Sequence, residues 1–173
     1  MDKKKIFIII GIFWLVIIGG FIAFKEFTLQ TGNEVLLKTR PVDPRDLFRG
    51  DYVILRYDIS TVFTNEFSKN SSNFEKEDNI YVSLNVDDEK IGTIKNIYKN
   101  TPDDEMFFIK GIVKNVYGDR LNVEYGIESY FVPEGEGRVI EREMGKIYTK
   151  VAIDNFGNAV IKSLVLDGEE IEL

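Results

Sequence analysis

The hydrophobic pattern of the chain begins with an unbroken apolar segment at residues 6–24, which contains no charged side chain. In a helix that rises 1.5 Å per residue, a segment of this length is about 28 Å long, close to the thickness of the hydrocarbon core of a bilayer. A buried core helix normally has one polar face, and this segment has none. The pattern therefore predicts a single N-terminal helix that crosses a membrane.

The apolar segment could be a cleaved signal peptide or an uncleaved anchor. A signal peptide has an apolar stretch of about 7–15 residues followed by small residues at the cleavage site. The segment here is longer, and bulky aromatic side chains surround its last small residues, which favours an anchor. Three lysines precede it, at positions 3–5, and one follows it, at position 25. Because positive charges tend to stay in the cytoplasm, we expect a cytoplasmic N-terminus and an extracytoplasmic body.

The rest of the chain has the patterns of an antiparallel β protein. Apolar and polar positions alternate in short runs that are separated by Gly, Asp, Asn and Pro, the residues typical of turns. The fold class we predict is mainly β, an antiparallel sandwich or open barrel with one short helix at residues 138–144. A polar stretch at 65–79 predicts a long loop. The predicted strands are 35–42, 52–59, 80–86, 91–98, 106–117, 121–127, 148–153, 159–166 and 171–173.

The pattern also predicts how some of these strands are arranged. Three consecutive pairs are expected to form hairpins: 80–86 with 91–98, 106–117 with 121–127, and 148–153 with 159–166. In the segment at 52–59, alternate residues share one face: Val53, Leu55, Tyr57 and Ile59.

These patterns divide the chain into three parts. Residues 1–27 are the predicted membrane anchor, 28–34 a short polar linker, and 35–173 one extracytoplasmic β domain. About 140 residues suffice for one domain with its own core.

Charge and composition exclude several functions. The chain has a net charge of −7, and its first 25 residues hold four lysines and one aspartate, so the remaining 148 residues carry −10. Such an acidic body repels nucleic acids and anionic lipid headgroups, so we expect no nucleic-acid partner. The chain contains no cysteine and no histidine, which removes thiolate chemistry, Ser-His-Asp triads and the usual zinc sites. We expect no metal and no cofactor.

The densest charged segment lies at residues 41–57, PVDPRDLFRGDYVILRY. Arginines and aspartates at this density can form bidentate pairs. One interpretation is a charged turn that fixes the start of a central strand, with a glycine supplying an unusual backbone angle. The other is a surface that binds a partner. In either case the residues that we single out as a polar cluster are Asp43, Arg45, Asp46, Arg49, Gly50, Asp51 and Tyr52.

The same segment carries a resemblance to a known family. Residues 50–57, GDYVILRY, match the signature GDYxxLxY in full, and PVDPRD at 41–46, Arg49 and YGIESYFVPEGEG at 125–137 are similar to the same family. The chain thus resembles the GDYXXLXY protein family over residues 33–173. The resemblance implies a protein anchored in a bacterial plasma (inner) membrane and suggests an integral membrane protein as its partner. It names no activity.

A peptidase is the competing interpretation. Signal peptidases also join an N-terminal membrane helix to a β-rich outer domain, and they use serine and lysine without histidine. Residues 108–119 faintly resemble the stretch that holds their lysine, which would make Lys110 the base. Where their serine would stand, this chain has Pro41, and without a hydroxyl no acyl-enzyme can form.

The favoured hypothesis is therefore a non-enzymatic accessory or binding module of the cell envelope that contacts another membrane protein. The alternative is a signal-peptidase-like Ser/Lys hydrolase or a degenerate relative of one. A surface-exposed charged cluster favours binding. Lys110 within hydrogen-bond reach of a hydroxyl, such as that of Ser60 or Ser129, favours catalysis.

Overall fold

The computed structural model describes residues 3–40, 52–70, 73–132, 140 and 143–171. Within these ranges the chain forms one long helix, α1 (Lys3–Thr31), followed by a mainly β domain in which strands make up 47% of the structure. The strands are β1 (Asn33–Arg40), β2 (Tyr52–Ile54), β3 (Arg56–Tyr57), β4 (Thr61–Phe63), β5 (Asn79–Val86), β6 (Gly92–Tyr98), β7 (Phe108–Tyr117), β8 (Arg120–Glu124), β9 (Ser129–Phe131), β10 (Ile147–Ile153), β11 (Ala159–Leu166) and β12 (Glu169–Glu170).

The strands form two five-stranded sheets and one two-stranded sheet, curled into a half-barrel. The order in the first sheet is β12-β11-β10-β1-β3 and in the second β4-β8-β7-β5-β6, while β2 pairs only with β9. All of these strand pairs are antiparallel. The larger sheets are joined where the Leu36 N–H donates to the Lys90 carbonyl at 2.8 Å. The predicted fold class is thus confirmed.

Three of the predicted hairpins form as expected: β5–β6, β7–β8 and β10–β11. Their turn residues explain why. Asp87 accepts hydrogen bonds from the N–H groups of Glu89 and Ile91, and Asp154 does the same for Phe156 and Asn158. Such side-chain bonds replace backbone pairing at a tight turn, so these hairpins follow from local sequence alone.

The core lies between the inner faces of the curled sheets. Alternate residues of β1 and β5 are fully buried, among them Val35, Leu37, Ile80 and Val82. The inward-facing residues that the pattern predicted for residues 52–59 are also buried: Val53, Leu55, Tyr57 and Ile59. Burial of each such side chain contributes about 1.5–3 kcal/mol relative to exposure.

The segment at 52–59 is nevertheless not the single strand that the pattern predicts. It divides into β2, which pairs with β9, and β3, which pairs with β1, and it ends in a 3-10 helix at Asp58–Ser60. Because the two halves have different partners, the chain crosses from one sheet to another at Leu55. Ile54, on the outer face, is 39% exposed.

Several smaller predictions also differ from the structure. The segment at 65–79, predicted as a loop, overlaps a 3-10 helix, Thr64–Asn70, and places Phe74 in the core with Phe67 packed against it. The last strand in the described part of the chain is Glu169–Glu170, because the turn at residues 167–168 pairs the first residues after it with β11. Of the strand predicted at 171–173, residues 172 and 173 lie outside the described residues. Most of the predicted helix at 138–144 lies outside the described residues.

Helix α1 passes almost directly into the first sheet. The residues predicted as a linker form the last turn of α1, then Gly32, then the start of β1. The covered positions in the last two turns of α1 are Lys25, Thr28 and Leu29, whose spacing puts them on one helix face. Thr28 is fully buried. The Gly32 N–H continues the helical pattern by donating to the Thr28 carbonyl at 2.9 Å.

Candidate functional site

The two segments that carry the family resemblance meet in the structure. Strand β2, in the first segment, pairs with β9, in the second, so that Tyr52 lies opposite Phe131 and Ile54 opposite Ser129. Where β2 ends, the Leu55 N–H donates to the Glu128 carbonyl at 2.8 Å. We call this meeting point the motif junction: residues 52–60 together with residues 125–131.

Two buried tyrosines hold the motif junction together reciprocally. The Tyr57 hydroxyl donates to the Ile127 carbonyl at 2.5 Å, and the Tyr125 hydroxyl donates to the Ile59 carbonyl at 2.6 Å. Burial raises the pKa of both phenols well above the ordinary value, so both remain neutral donors. These hydroxyls are therefore structural ties between segments far apart in sequence.

Glu128 is the titratable group of the motif junction. Its carboxylate accepts hydrogen bonds from the backbone N–H groups of Tyr125, at 2.6 Å, and Gly126, at 2.9 Å. Gly126 has φ of +79°, which glycine adopts without strain. Burial raises the Glu128 pKa above its usual value, with a smaller contribution from the Glu124 charge, and the hydrogen bonds only partly offset this. The sequence pattern does not single out Glu128, which stands there only within the segment at 125–137 that is similar to the family.

A groove of about 150 Å³ opens beside the motif junction. We call it the motif groove. Its polar lining includes positively charged, negatively charged and neutral amide side chains. Its apolar lining comes from residues 54–55 and from β8. Lys114 makes ion pairs with Glu124, at 3.6 Å, and with Glu77, at 3.8 Å. The lining residues are Ile54, Leu55, Arg56, Ser60, Lys114, Asn115, Asn122, Val123, Glu124 and Glu128.

The predicted polar cluster falls almost entirely outside the described residues. Asp43, Arg45, Asp46, Arg49, Gly50 and Asp51 lie in the undescribed range 41–51, and for Tyr52 the structure describes only the backbone, at the start of β2. The cluster thus stays a prediction. What the structure adds is that Tyr52, the last residue of the cluster, begins β2 and with it the motif junction.

Lys110, the base in the peptidase alternative, lies on strand β7. Its side chain is half-buried, with Nζ 6.0 Å from the centre of the Tyr81 ring, and it makes no hydrogen bond or ion pair with the side chains that the structure describes. Ser60 lies instead in the motif groove, where its hydroxyl accepts the Tyr57 N–H at 3.1 Å, and Ser129 pairs within the two-stranded sheet. The described contacts do not bring Lys110 together with either hydroxyl.

The arrangement is thus suited to polar recognition. A partner side chain or backbone segment entering the motif groove would meet donors and acceptors held by rigid strands. Over the described ranges, no group of three acidic side chains is placed to hold a metal ion.

Comparison with known proteins gave one match. No curated protein and no solved structure matches the chain. The family model described as GDYXXLXY protein matches residues 14–164, a range that begins within α1 and ends in β11. The match includes both segments of the motif junction, and it covers most of the chain. The chain therefore belongs to the GDYXXLXY protein family.

Proposed function

We propose that this protein is a membrane-anchored, non-enzymatic binding module of the cell envelope that contacts another integral membrane protein. The observation that carries the proposal is α1. Residues Lys4–Thr31 form a helix long and apolar enough to cross a membrane, and none of its apolar window is buried against the domain. A helix with so much exposed apolar surface needs a nonpolar environment, which a bilayer supplies.

In this proposal α1 crosses the plasma (inner) membrane of a bacterium. The N-terminus lies in the cytoplasm, and the β domain lies outside it. Lys3, Lys4 and Lys5 on one side of the apolar segment outweigh the single Lys25 on the other. The family membership supports the bacterial membrane location.

A partner in the same membrane suits this architecture. The domain begins one residue after α1, so it stays close to the bilayer surface. Confinement of two proteins to one membrane raises their effective concentration, so a modest groove can give sufficient affinity. The contact face we propose is the motif groove with the charged cluster at 43–51, because the cluster leads directly into β2.

Site-specific crosslinking in intact membranes tests the proposal. A photoreactive amino acid at Arg56, an exposed residue of the motif groove, should crosslink to an integral membrane protein, and mass spectrometry should identify it. The same probe at Asn100, an exposed residue after β6, should not. Arg49→Ala and Asp51→Ala should each abolish the crosslink, because they remove charges of the proposed contact face. Arg120→Ala and Asp88→Ala, exposed residues elsewhere, are the matched controls.

Circular dichroism separates binding from folding in this experiment. Both cluster variants should keep the β-sheet signal of the unmodified protein. If they lose it, the cluster is a structural turn. If the probe at Arg56 captures no membrane protein that the probe at Asn100 misses, the proposed contact face is wrong.

A further inference from the structure

A second groove lies on the other side of Lys114, next to α1. It has a volume of about 270 Å³, and we call it the lysine groove because Lys25, Lys110 and Lys114 all line it. Lys25 directly follows the apolar segment at 6–24 and comes from α1, whereas Lys110 and Lys114 come from β7. If the apolar segment fills the hydrocarbon core, the next residue lies at the level of the lipid headgroups. The lysine groove is then at that level too.

The turn between β10 and β11 reaches the same level. Asn158 and Ala159 line the lysine groove together with Lys25. The turn is fixed to β7, because the Lys110 N–H donates to the Gly157 carbonyl at 2.8 Å. A Cβ at Gly157 would come within 2.8 Å of the Phe108 ring, so the turn packs tightly on the sheet. Phe156, at the tip of this fixed turn, is nevertheless 70% exposed.

The charge of the groove is opposite to that of the domain around it. Three lysines and one glutamate, Glu124, line it, although residues 26–173 carry a net charge of −10. Within the described part of the chain, Glu124 makes an ion pair with Lys114, at 3.6 Å, and Lys114 makes a second one with Glu77, at 3.8 Å. Lys25 and Lys110 have no ion-pair partner among the described residues. Lys25 and Lys110, an exposed aromatic side chain on the adjoining turn and the neighbouring proposed membrane span together match a bilayer interface, where phosphates and aromatic side chains meet.

We propose that the lysine groove binds the phosphate of an anionic lipid headgroup while Phe156 inserts into the bilayer interface. The inference rests on the anchoring by α1 that we propose above, and it assigns lipid to a surface distinct from the motif groove. The ligand class is an anionic glycerophospholipid. Bound in this way, the domain has three attachments to the bilayer: the span, the cationic groove and the aromatic turn.

Amide hydrogen exchange of the full chain in nanodiscs tests the proposal. We expect the amides of residues 154–158 to exchange more slowly in discs that contain phosphatidylglycerol than in discs of phosphatidylcholine alone. Lys110→Gln should reduce this slowing of exchange about fivefold, the factor that corresponds to roughly 1 kcal/mol per lysine at an anionic surface. Lys38→Gln changes an exposed residue of β1 away from the groove and should leave this difference in exchange unchanged. Lys25 is left intact because it borders the span.

A fluorescence measurement gives an independent readout. Trp14 is the only tryptophan, so the pair Trp14→Phe and Phe156→Trp reports on the turn alone. Brominated lipids should quench this tryptophan more strongly in anionic discs. The β5–β7 amides should exchange equally in all variants, which shows that the domain stays folded.

Each contrary result has a separate meaning. If the chain does not incorporate into discs, the anchoring itself fails. If it incorporates but the turn exchanges equally in both lipids, lipid binding by the groove is wrong and the anchoring stands. If inorganic phosphate added to phosphatidylcholine discs gives the same protection, the groove binds free phosphate and the assignment to lipid is overturned.

Discussion

At the scale of single residues, Tyr57 shows what the family signature does in the described part of the chain. Leu55 and Tyr57, two of its named positions, are completely buried rather than presented to a ligand. The Tyr57 ring fills the core, and its hydroxyl satisfies the carbonyl of Ile127. These two positions therefore maintain the crossing between sheets that shapes the motif groove.

Tyr57→Phe should destabilise the domain by about 1–3 kcal/mol, because the Ile127 carbonyl would lose its buried donor. The change keeps the ring, so packing is unaffected. Urea unfolding of the full chain in detergent, followed by the β-sheet circular dichroism signal, measures the effect. Tyr117→Phe is the matched control, since that ring is 60% exposed. Equal midpoints for the two variants would show that the hydroxyl bond contributes nothing.

The sequence pattern predicted part of this residue-level picture. Strict alternation placed Val53, Leu55, Tyr57 and Ile59 on one inward face, and they are all buried. The pattern did not predict the partners of Tyr57 and Glu128. Their hydrogen bonds depend on how separate strands meet in space, which short-range periodicity does not encode. The charged cluster could be seen in the sequence because its composition is local.

At the scale of elements, the junction of α1 with the first sheet is the least expected feature. A polar stretch suggested a linker, but the helix continues until its covered face has docked on β10 and β11. Gly32 permits this close approach: a Cβ there would lie 2.6 Å from the Thr28 carbonyl oxygen and 3.0 Å from the Ile153 nitrogen.

Gly32→Val should loosen this junction, because the added side chain must displace backbone atoms of α1 or β10. We expect faster amide exchange in Asn33–Val35 and Ala152–Ile153, and a loss of about 1–3 kcal/mol of stability, as for other overpacked sites. Gly20→Ala is the control, since a Cβ at Gly20 would have no atom within 4 Å. Unchanged exchange at the junction would mean that the close approach is not needed.

Hairpins could be predicted and crossings could not, for one physical reason. The turns at Asp87 and Asp154 are stabilised by bonds within five residues, so local composition determines them. The break at Leu55 arises because β2 and β3 find partners in different sheets. Nothing between residues 52 and 59 marks that division.

At the scale of the whole molecule, the proposed membrane topology can be tested by thiol labelling without background labelling of native cysteines. The chain contains no cysteine, so single introduced thiols label cleanly. Asn100→Cys should react with a membrane-impermeant maleimide on intact cells, because the residue is exposed on the domain. Lys4→Cys should react only after the cells are permeabilised. Mass spectrometry of the labelled chain gives the readout, and the reverse pattern would place the β domain in the cytoplasm.

The direct passage of α1 into the sheet has a mechanical consequence. Because a single glycine separates α1 from the half-barrel, the two rotate as a unit if α1 spans a membrane as proposed. Any neighbouring helix that turns α1 about its long axis would swing the motif groove through the same angle. The direction in which the motif groove faces its neighbours would then depend on the contacts that α1 makes within the bilayer.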